Sequence, residues 1–210
     1  GLSGGALPHK RGVLLSLAKF NRILDIDPNN RSARVEPGVR NLAISQAADN
    51  YGLYYAPDPS SQIACSIGGN VAENSGGVHC LKYGLTVHNV LQVKFLTMDG
   101  ELHSVGSQAL DSSGFDLLAL MNGSEGLLGV IIEITVKLLP PPERTQVMLA
   151  AFDDVEKAGA AVANIISAGI IPKVNKSKKA AYGSSKINLK FKSSLCSIFT
   201  PAKLGLSDDL

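Results

Sequence analysis

The spacing of apolar positions changes several times along the chain, and each change marks an element. Val13–Leu17 is a short aliphatic run that predicts a buried strand. Ile23–Asp27 and Ala33–Glu36 flank Pro28-Asn29-Asn30-Arg31, a turn-forming cluster, and predict a hairpin. Val39–Tyr51 places Leu42, Ile44, Ala47, Ala48 and Tyr51 at helical spacing, with Gly52 as the stop. From residue 56 to 84 the periodicity disappears among prolines, paired glycines and small polar residues. A loop-like stretch of about 29 residues is uncommon in a compact domain and usually functional. Val90–Met98 and Glu101–Val105 predict a hairpin, with Asp99-Gly100 as a type I′ turn. Phe115–Met121 predicts a short helix. Val130–Leu139 alternates branched residues with Glu133, Thr135 and Lys137, a strand with one wet face. Pro140-Pro141-Pro142 marks a domain boundary. Beyond it come a strand, Gln146–Phe152, and an amphipathic helix, Val155–Ala168, N-capped by Asp153 or Asp154 and ended by Gly169. These form one β-α unit of a second domain. The chain has no internal repeat.

Composition narrows the class. The 210 residues are 45% hydrophobic and 18% charged, which suits a globular core and excludes disorder for most of the chain. The longest apolar run is far short of the roughly 18 residues of a membrane-spanning helix, and no basic-then-apolar leader opens the sequence. Cys65, Cys80 and Cys196 contain no close pair, which argues against a disulfide scaffold or a structural zinc site and for a reduced cytosolic setting. Charge is split. Residues 1–172 carry 12 basic and 16 acidic side chains, net −4, while 173–210 carry 8 lysines and 2 aspartates, net +6. The lysine-rich tail is expected to be mobile and protease-sensitive, and not to bind nucleic acid, because it is poorly interleaved with aromatic residues.

Glycine changes the picture most. There are 21, one residue in ten against an average near 7%, and ten of them cluster around positions 1–5, 68–77 and 123–129. No two glycines are separated by one residue, so a G-x-G-x-x-G dinucleotide site is absent, and no Gly-Lys pair exists for a P-loop. His9, His79, His88 and His103 lack metal spacing, and Ser124 is not in a G-x-S-x-G elbow. The positive signal is glycine beside small polar residues. Gly68-Gly69-Asn70 and Asn74-Ser75-Gly76-Gly77 offer backbone N–H groups without Cβ obstruction, which suits a pyrophosphate or a flat ring laid against main chain. Gly4-Gly5 and Gly123-Ser124-Glu125-Gly126 could do the same. Turns and bulges in a β-rich fold are the competing use for these glycines.

Five stretches together resemble a known family. They are Gly1-Leu2-Ser3-Gly4-Gly5, Pro57-Asp58-Pro59-Ser60-Ser61, Ser66 to Gly77, Lys82-Tyr83-Gly84 and Gly123-Ser124-Glu125-Gly126-Leu127-Leu128-Gly129-Val130. In order and spacing they are similar to the FAD-binding domain of the vanillyl-alcohol-oxidase (PCMH) type, and within it to the FAD-linked 2-hydroxy-acid dehydrogenases that include the glycolate oxidase D subunit. The resemblance covers about residues 1–172.

The resemblance implies an α+β fold: residues 1–141 as a partial FAD-binding domain, 142–172 as the first β-α unit of a truncated cap domain, and 173–210 as a basic tail outside the family. It implies FAD as cofactor. Leu2, Ser3, Gly4 and Gly5 would end the pyrophosphate loop. Pro57, Asp58, Ser60, Ser61, Cys65 and Ser66 would line the flavin and ribityl chain. Gly68, Gly69, Asn70, Ala72, Asn74, Gly76 and Gly77 would lie against ring and phosphates, with Glu125, Gly126 and Val130 over the adenine side. It implies hydride transfer from glycolate or D-lactate to FAD in the complete enzyme, with iron–sulfur and second flavin-domain subunits as partners. The setting would be cytoplasmic, with peripheral attachment to the inner membrane through those partners as an open alternative. No catalytic residue is assigned, and His79 and His88 are not given that role. The family has a further subdomain before Gly1 and a full cap after Pro172. The chain is therefore expected to be an incomplete piece, with a non-catalytic remnant that holds no FAD as the competing reading.

Overall fold

The computed structural model describes residues 8–108, 114–143, 145–152, 154–172, 174–179 and 185–192. They fall into two compact units, one within 1–77 and 84–141, the other within 78–83 and 142–210. The division in the main run of the chain falls between Pro141 and Pro142, within the triple proline.

The first unit is built on a five-stranded antiparallel sheet. Strands β1 (Ile23–Asp27) and β2 (Ser32–Val35) form the predicted hairpin, in register Asp27 opposite Ser32. Asp27 fixes the turn by accepting the N–H groups of Asn29 and Asn30 at 2.9 and 3.0 Å. Strands β3 (Val90–Leu96) and β4 (Leu102–Gly106) form the second hairpin. Its turn differs from the type I′ expectation. Only Gly100 has positive φ, +81°, and its N–H donates to the Thr97 carbonyl at 3.0 Å. A turn with one left-handed residue needs glycine only at that last position. Strand β5 (Val130–Lys137) lies in the middle, and the order across the sheet is β1-β2-β5-β3-β4.

The two faces of β5 follow its alternation. Ile134 and Val136 are fully buried with Val35, Val93, Ile44 and Ile67. On the other face Glu133 pairs with Lys94 at 2.8 Å and Arg34 at 3.6 Å across neighbouring strands. Thr135, expected on the wet side, is buried. The predicted first helix is α1 (Asn41–Ala48), extended by one 3-10 turn to Tyr51 and stopped by Gly52 at φ +64°.

Two expectations fail here. Val13–Leu17 is not a strand: Val13, Leu14 and Leu15 are 96, 78 and 62% exposed. An extended run becomes a strand only beside a pairing edge, and the described residues give it none. The stretch 56–84 is not all loop. It holds α2 (Ile67–Glu73) and the short α3 (Cys80–Tyr83). A third helix of the first unit, α4 (Leu117–Met121), starts two residues later than its sequence predicts and is N-capped by Asp116, which accepts the Ala119 N–H at 2.9 Å.

In the second unit β6 (Thr145–Phe152) leads into α5 (Val155–Ser167). Asp154 caps α5 by accepting the Lys157 N–H at 2.6 Å, and Gly169, at φ +76°, follows its end. The β-α expectation stands, but the tail differs. Residues 174–179 and 185–192, expected to be mobile, run as β7 and β8 in an antiparallel sheet of order β6-β8-β7. In 185–192 apolar Ile187, Leu189 and Phe191 alternate with Lys186, Asn188, Lys190 and Lys192, a period-two pattern hidden by the lysine content. Residues 193–210 lie outside the described part.

Candidate functional site

Three separate stretches of the first unit meet around one cavity of about 860 Å³, within the range of small-molecule and cofactor sites. The first wall is α2. Its start is held on the segment 37–39: the Ile67 N–H donates to the Val39 carbonyl and the Gly68 N–H to the Pro37 carbonyl, each at 2.8 Å. Ser66 caps the helix, accepting the Gly69 N–H at 3.3 Å through Oγ and the Asn70 N–H at 3.0 Å through its carbonyl.

The adjacent glycines have opposite surroundings. A Cβ on buried Gly68 would lie 2.6 Å from Pro37 Cβ, so only glycine lets the helix sit this close. A Cβ on exposed Gly69 would meet nothing but Ser66 Oγ, at 3.2 Å. Gly69 is therefore the position where main chain lies bare on the cavity wall.

The second wall hangs from the other end of α2. Asn74 ends that helix in the left-handed region, at φ +50°. The N–H groups of Gly123 and Glu125 then donate to the carbonyls of Val71 and Ala72, each at 2.8 Å. This brings the 123–126 turn beside α2 and places Gly126 and Val130 on the cavity with Ala72. Gly126, at φ +76°, would have no atom within 4 Å of an added Cβ.

The third wall is the segment around Leu15, Leu17 and Ala18, with Pro37, Gly38 and Arg40 beside it. Gly38 brings these pieces together. Its N–H donates to the Phe20 carbonyl at 2.7 Å, and a Cβ there would lie 2.6 Å from the carbonyl oxygens of both Leu17 and Phe20. Arg22 and Glu36 lock the same junction. Glu36 Oε1 accepts from the Arg22 guanidinium at 2.8 and 3.1 Å, and Oε2 accepts the Arg22 N–H at 2.8 Å. The guanidinium bonds hold the Glu36 carboxyl below the usual carboxylate range, with the Arg22 N–H adding to the effect.

A carboxyl with a lowered native pKa stabilises the fold above its ordinary value and loses that contribution as pH falls through the lowered one. Glu36→Gln is thus expected to lower the melting temperature at pH 7. The gap to the parent should close as the pH drops below about 4.5, the ordinary value for this side chain. Melting curves of both proteins across pH 3–7 check this, and a gap that does not narrow below about pH 4.5 would contradict it.

The structure sorts the residues singled out from sequence. Ser66, Gly68, Gly69, Ala72, Gly126 and Val130 all line the cavity. Leu2, Ser3, Gly4 and Gly5 lie outside the described residues. The others shape the surroundings. Asn70 is buried, and its amide donates to Asn41 Oδ1 at 2.9 Å, while Asn41 donates to the Pro57 carbonyl at 2.9 Å. The Cys65 carbonyl accepts the Asn41 N–H, and the Ser61 carbonyl accepts from Ala64 and Cys65. Asn74 Oδ1 accepts the Val87 N–H at 3.0 Å. A Cβ on Gly77 would strike the Asp58 backbone at 2.5 Å, so this glycine lets two chains pass. Gly76, Ser60 and Glu125 are exposed, Glu125 at φ +53°. His88 has a structural use, accepting the Leu85 N–H on Nδ1 at 3.0 Å.

One sequence-based expectation changes in kind. The sequence offers the N–H groups of Gly68, Gly69 and Asn70 as donors for a phosphate; with that of Ile67 before them they make four at the start of α2. All four donate inside the protein. The glycines here provide close packing and bare space rather than an anion nest. The third wall was missed. Its only signal in the sequence is the Pro37-Gly38 pair, which reads equally well as a connection between hairpin and helix.

Comparison with known proteins agrees with this arrangement. Over 172 residues the chain is 70% identical to "Glycolate oxidase subunit GlcD" of Escherichia coli K12, covering 82% of this chain and 34% of that protein. It is 39% identical over 163 residues to a D-lactate dehydrogenase of Anaerostipes hadrus, covering 77% of this chain and 34% of that one. The chain thus spans about a third of the length of these relatives. Among solved structures, alkyldihydroxyacetonephosphate synthase superposes with a TM-score of 0.70 at 19% identity, over 83% of this chain and 37% of that one, which is a likeness of fold. The family model described as "FAD binding domain" matches residues 1–106. A cradle that bare Gly69 and Gly126 leave open suits a flat ring system, and by that fit and this match the chain belongs to the FAD-binding domain family, of the PCMH type.

Proposed function

We propose that this chain supplies the FAD-holding wall of a dehydrogenase acting on a small 2-hydroxy acid, glycolate or D-lactate. The observation that carries the proposal is the cavity bounded by Ser66, Gly69, Ala72, Gly126 and Val130, whose residues fall within the stretch shared at 70% identity with the glycolate oxidase subunit. The redox chemistry is the cofactor's, as acceptor of the hydride from the hydroxyl-bearing carbon. The residues of this chain bind and orient it. Gly69 and Gly126 admit the ring system to the main chain, and Leu15, Leu17 and Val130 give apolar surface. Pro57, Asp58, Ser60, Ser61, Cys65, Asn70, Asn74, Gly76, Gly77 and Glu125 support these walls, and Leu2 to Gly5 complete the binding loop.

The groups that would take the hydroxyl proton are placed in segments that the longer relatives possess beyond the aligned stretch. Electrons would pass to iron–sulfur and second flavin-domain subunits, as suits a chain similar to a subunit of glycolate oxidase. No helix among the described residues is long and apolar enough to cross a membrane.

The test is flavin absorbance of the purified 210-residue chain after incubation with FAD and desalting, followed by dye reduction with either acid. Flavin is expected to be retained, with no substrate-dependent reduction above a free-FAD control. A colourless protein would support the non-binding remnant instead. Reduction by this chain alone would move the substrate groups onto it.

A further inference from the structure

We infer that Arg40 is the anion contact of this cavity and selects flavins that carry phosphate. The inference rests on the reading of the cavity as a flavin site. Among the described residues, Arg40 is the only charged one on its walls. It makes no ion pair among the described residues.

The placement of Arg40 is fixed. It is the N-cap residue of α1, its carbonyl accepts the Ala43 N–H at 3.0 Å, and it stands opposite Ser66 in an antiparallel bridge. The bonds on either side of that bridge, Asn41 N–H to the Cys65 carbonyl at 3.1 Å and Ile67 N–H to the Val39 carbonyl at 2.8 Å, hold it against the start of α2.

A diphosphate entering this cavity brings two negative charges into a site walled mainly by Leu, Ala, Gly, Val and Ile. Burying such charge without compensation is prohibitive. Backbone donors at the start of α2 do not provide the compensation, because the N–H groups of Ile67 to Asn70 are already spent on Val39, Pro37 and Ser66. The guanidinium is the remaining charged donor. Its planar fork matches two phosphate oxygens at once, and such charge-assisted pairs are the strong ones.

The test is titration of the full chain with FAD and with riboflavin, which has the ring and ribityl chain but no phosphate, followed by flavin fluorescence. The parent is expected to bind FAD more tightly than riboflavin, with FAD affinity falling as salt rises. Arg40→Gln should weaken FAD about tenfold to a hundredfold, the usual range for a charged hydrogen bond. It should leave riboflavin unchanged and flatten the salt dependence. Arg40→Lys should recover part of the loss, because it keeps the charge without the fork. The melting temperature without flavin should match the parent in both variants, since the bonds at this position are main-chain ones. If Arg40→Gln leaves both ligands unchanged, or weakens both equally, Arg40 is not the phosphate contact although the cavity still holds flavin. If the parent binds neither, the flavin reading fails and this inference with it.

Discussion

Replacing Gly69 with valine is expected to abolish flavin retention while the protein stays folded. An added Cβ there approaches only Ser66 Oγ, at 3.2 Å, and everything beyond it is open cavity. The position lies in the first turn of a helix and has no left-handed φ, so the backbone accepts a side chain without strain. Apart from a small shift of Ser66 Oγ, the effect of the substitution is therefore one of occupied space. In a helix valine is no worse than glycine by propensity. Its two methyl groups would stand where a flat ring must lie against main chain, a loss on the order of 100-fold in affinity if the contact is removed outright. Bound flavin after desalting, compared with the parent, gives the answer, and a melting curve confirms the fold. Equal retention would place the ring elsewhere.

The neighbouring substitution, Gly68→Ala, is expected to do the opposite damage. Its Cβ would lie 2.6 Å from Pro37 Cβ and 3.0 Å from the Pro37 carbonyl oxygen, which accepts the Gly68 N–H at 2.8 Å. Proline is rigid and the other atom is backbone, so neither gives way cheaply. Overpacking of this kind costs about 1–3 kcal/mol, and the strained hydrogen bond adds about 1 kcal/mol. For a domain of this size about 3 kcal/mol corresponds to roughly 6–12 °C in Tm. A melting temperature equal to the parent's would show that α2 can slide off the 37–39 segment, and the account of Gly68 would be wrong.

The two glycines mark how far the sequence is legible. Their pairing announces a site, and they line the cavity together with four of the other residues singled out, Ser66, Ala72, Gly126 and Val130. Which glycine packs and which one opens depends on Pro37, some thirty residues away, and no local pattern carries that. Helix α2 escapes notice for the same reason. Seven residues with two glycines look like a loop, and the helix owes its existence to the Ser66 cap, the Asn74 ending and bonds to the 37–39 segment. The hairpin of β1 and β2 is readable because Pro28 to Arg31 fix a turn locally. Val13–Leu17 misleads because apolar content signals a strand only where an edge is available. The third cavity wall, from Leu15 to Arg40, is formed by folding alone.

The two main-chain bonds from Gly123 and Glu125 to the end of α2 also bear on how the protein assembles. They join positions about fifty residues apart, across the whole β3–β4 hairpin. A seven-residue helix does not persist by itself in water. Helix α2 therefore needs its bonds to the 37–39 segment, and the turn can hang from it only after β3 and β5 have paired and the intervening loop has been closed at its entropic cost. The cavity is then among the last parts of the unit to form, and a nascent chain acquires it only once β5, which supplies Val130 and Ile131 to its wall and ends at Lys137, has been made.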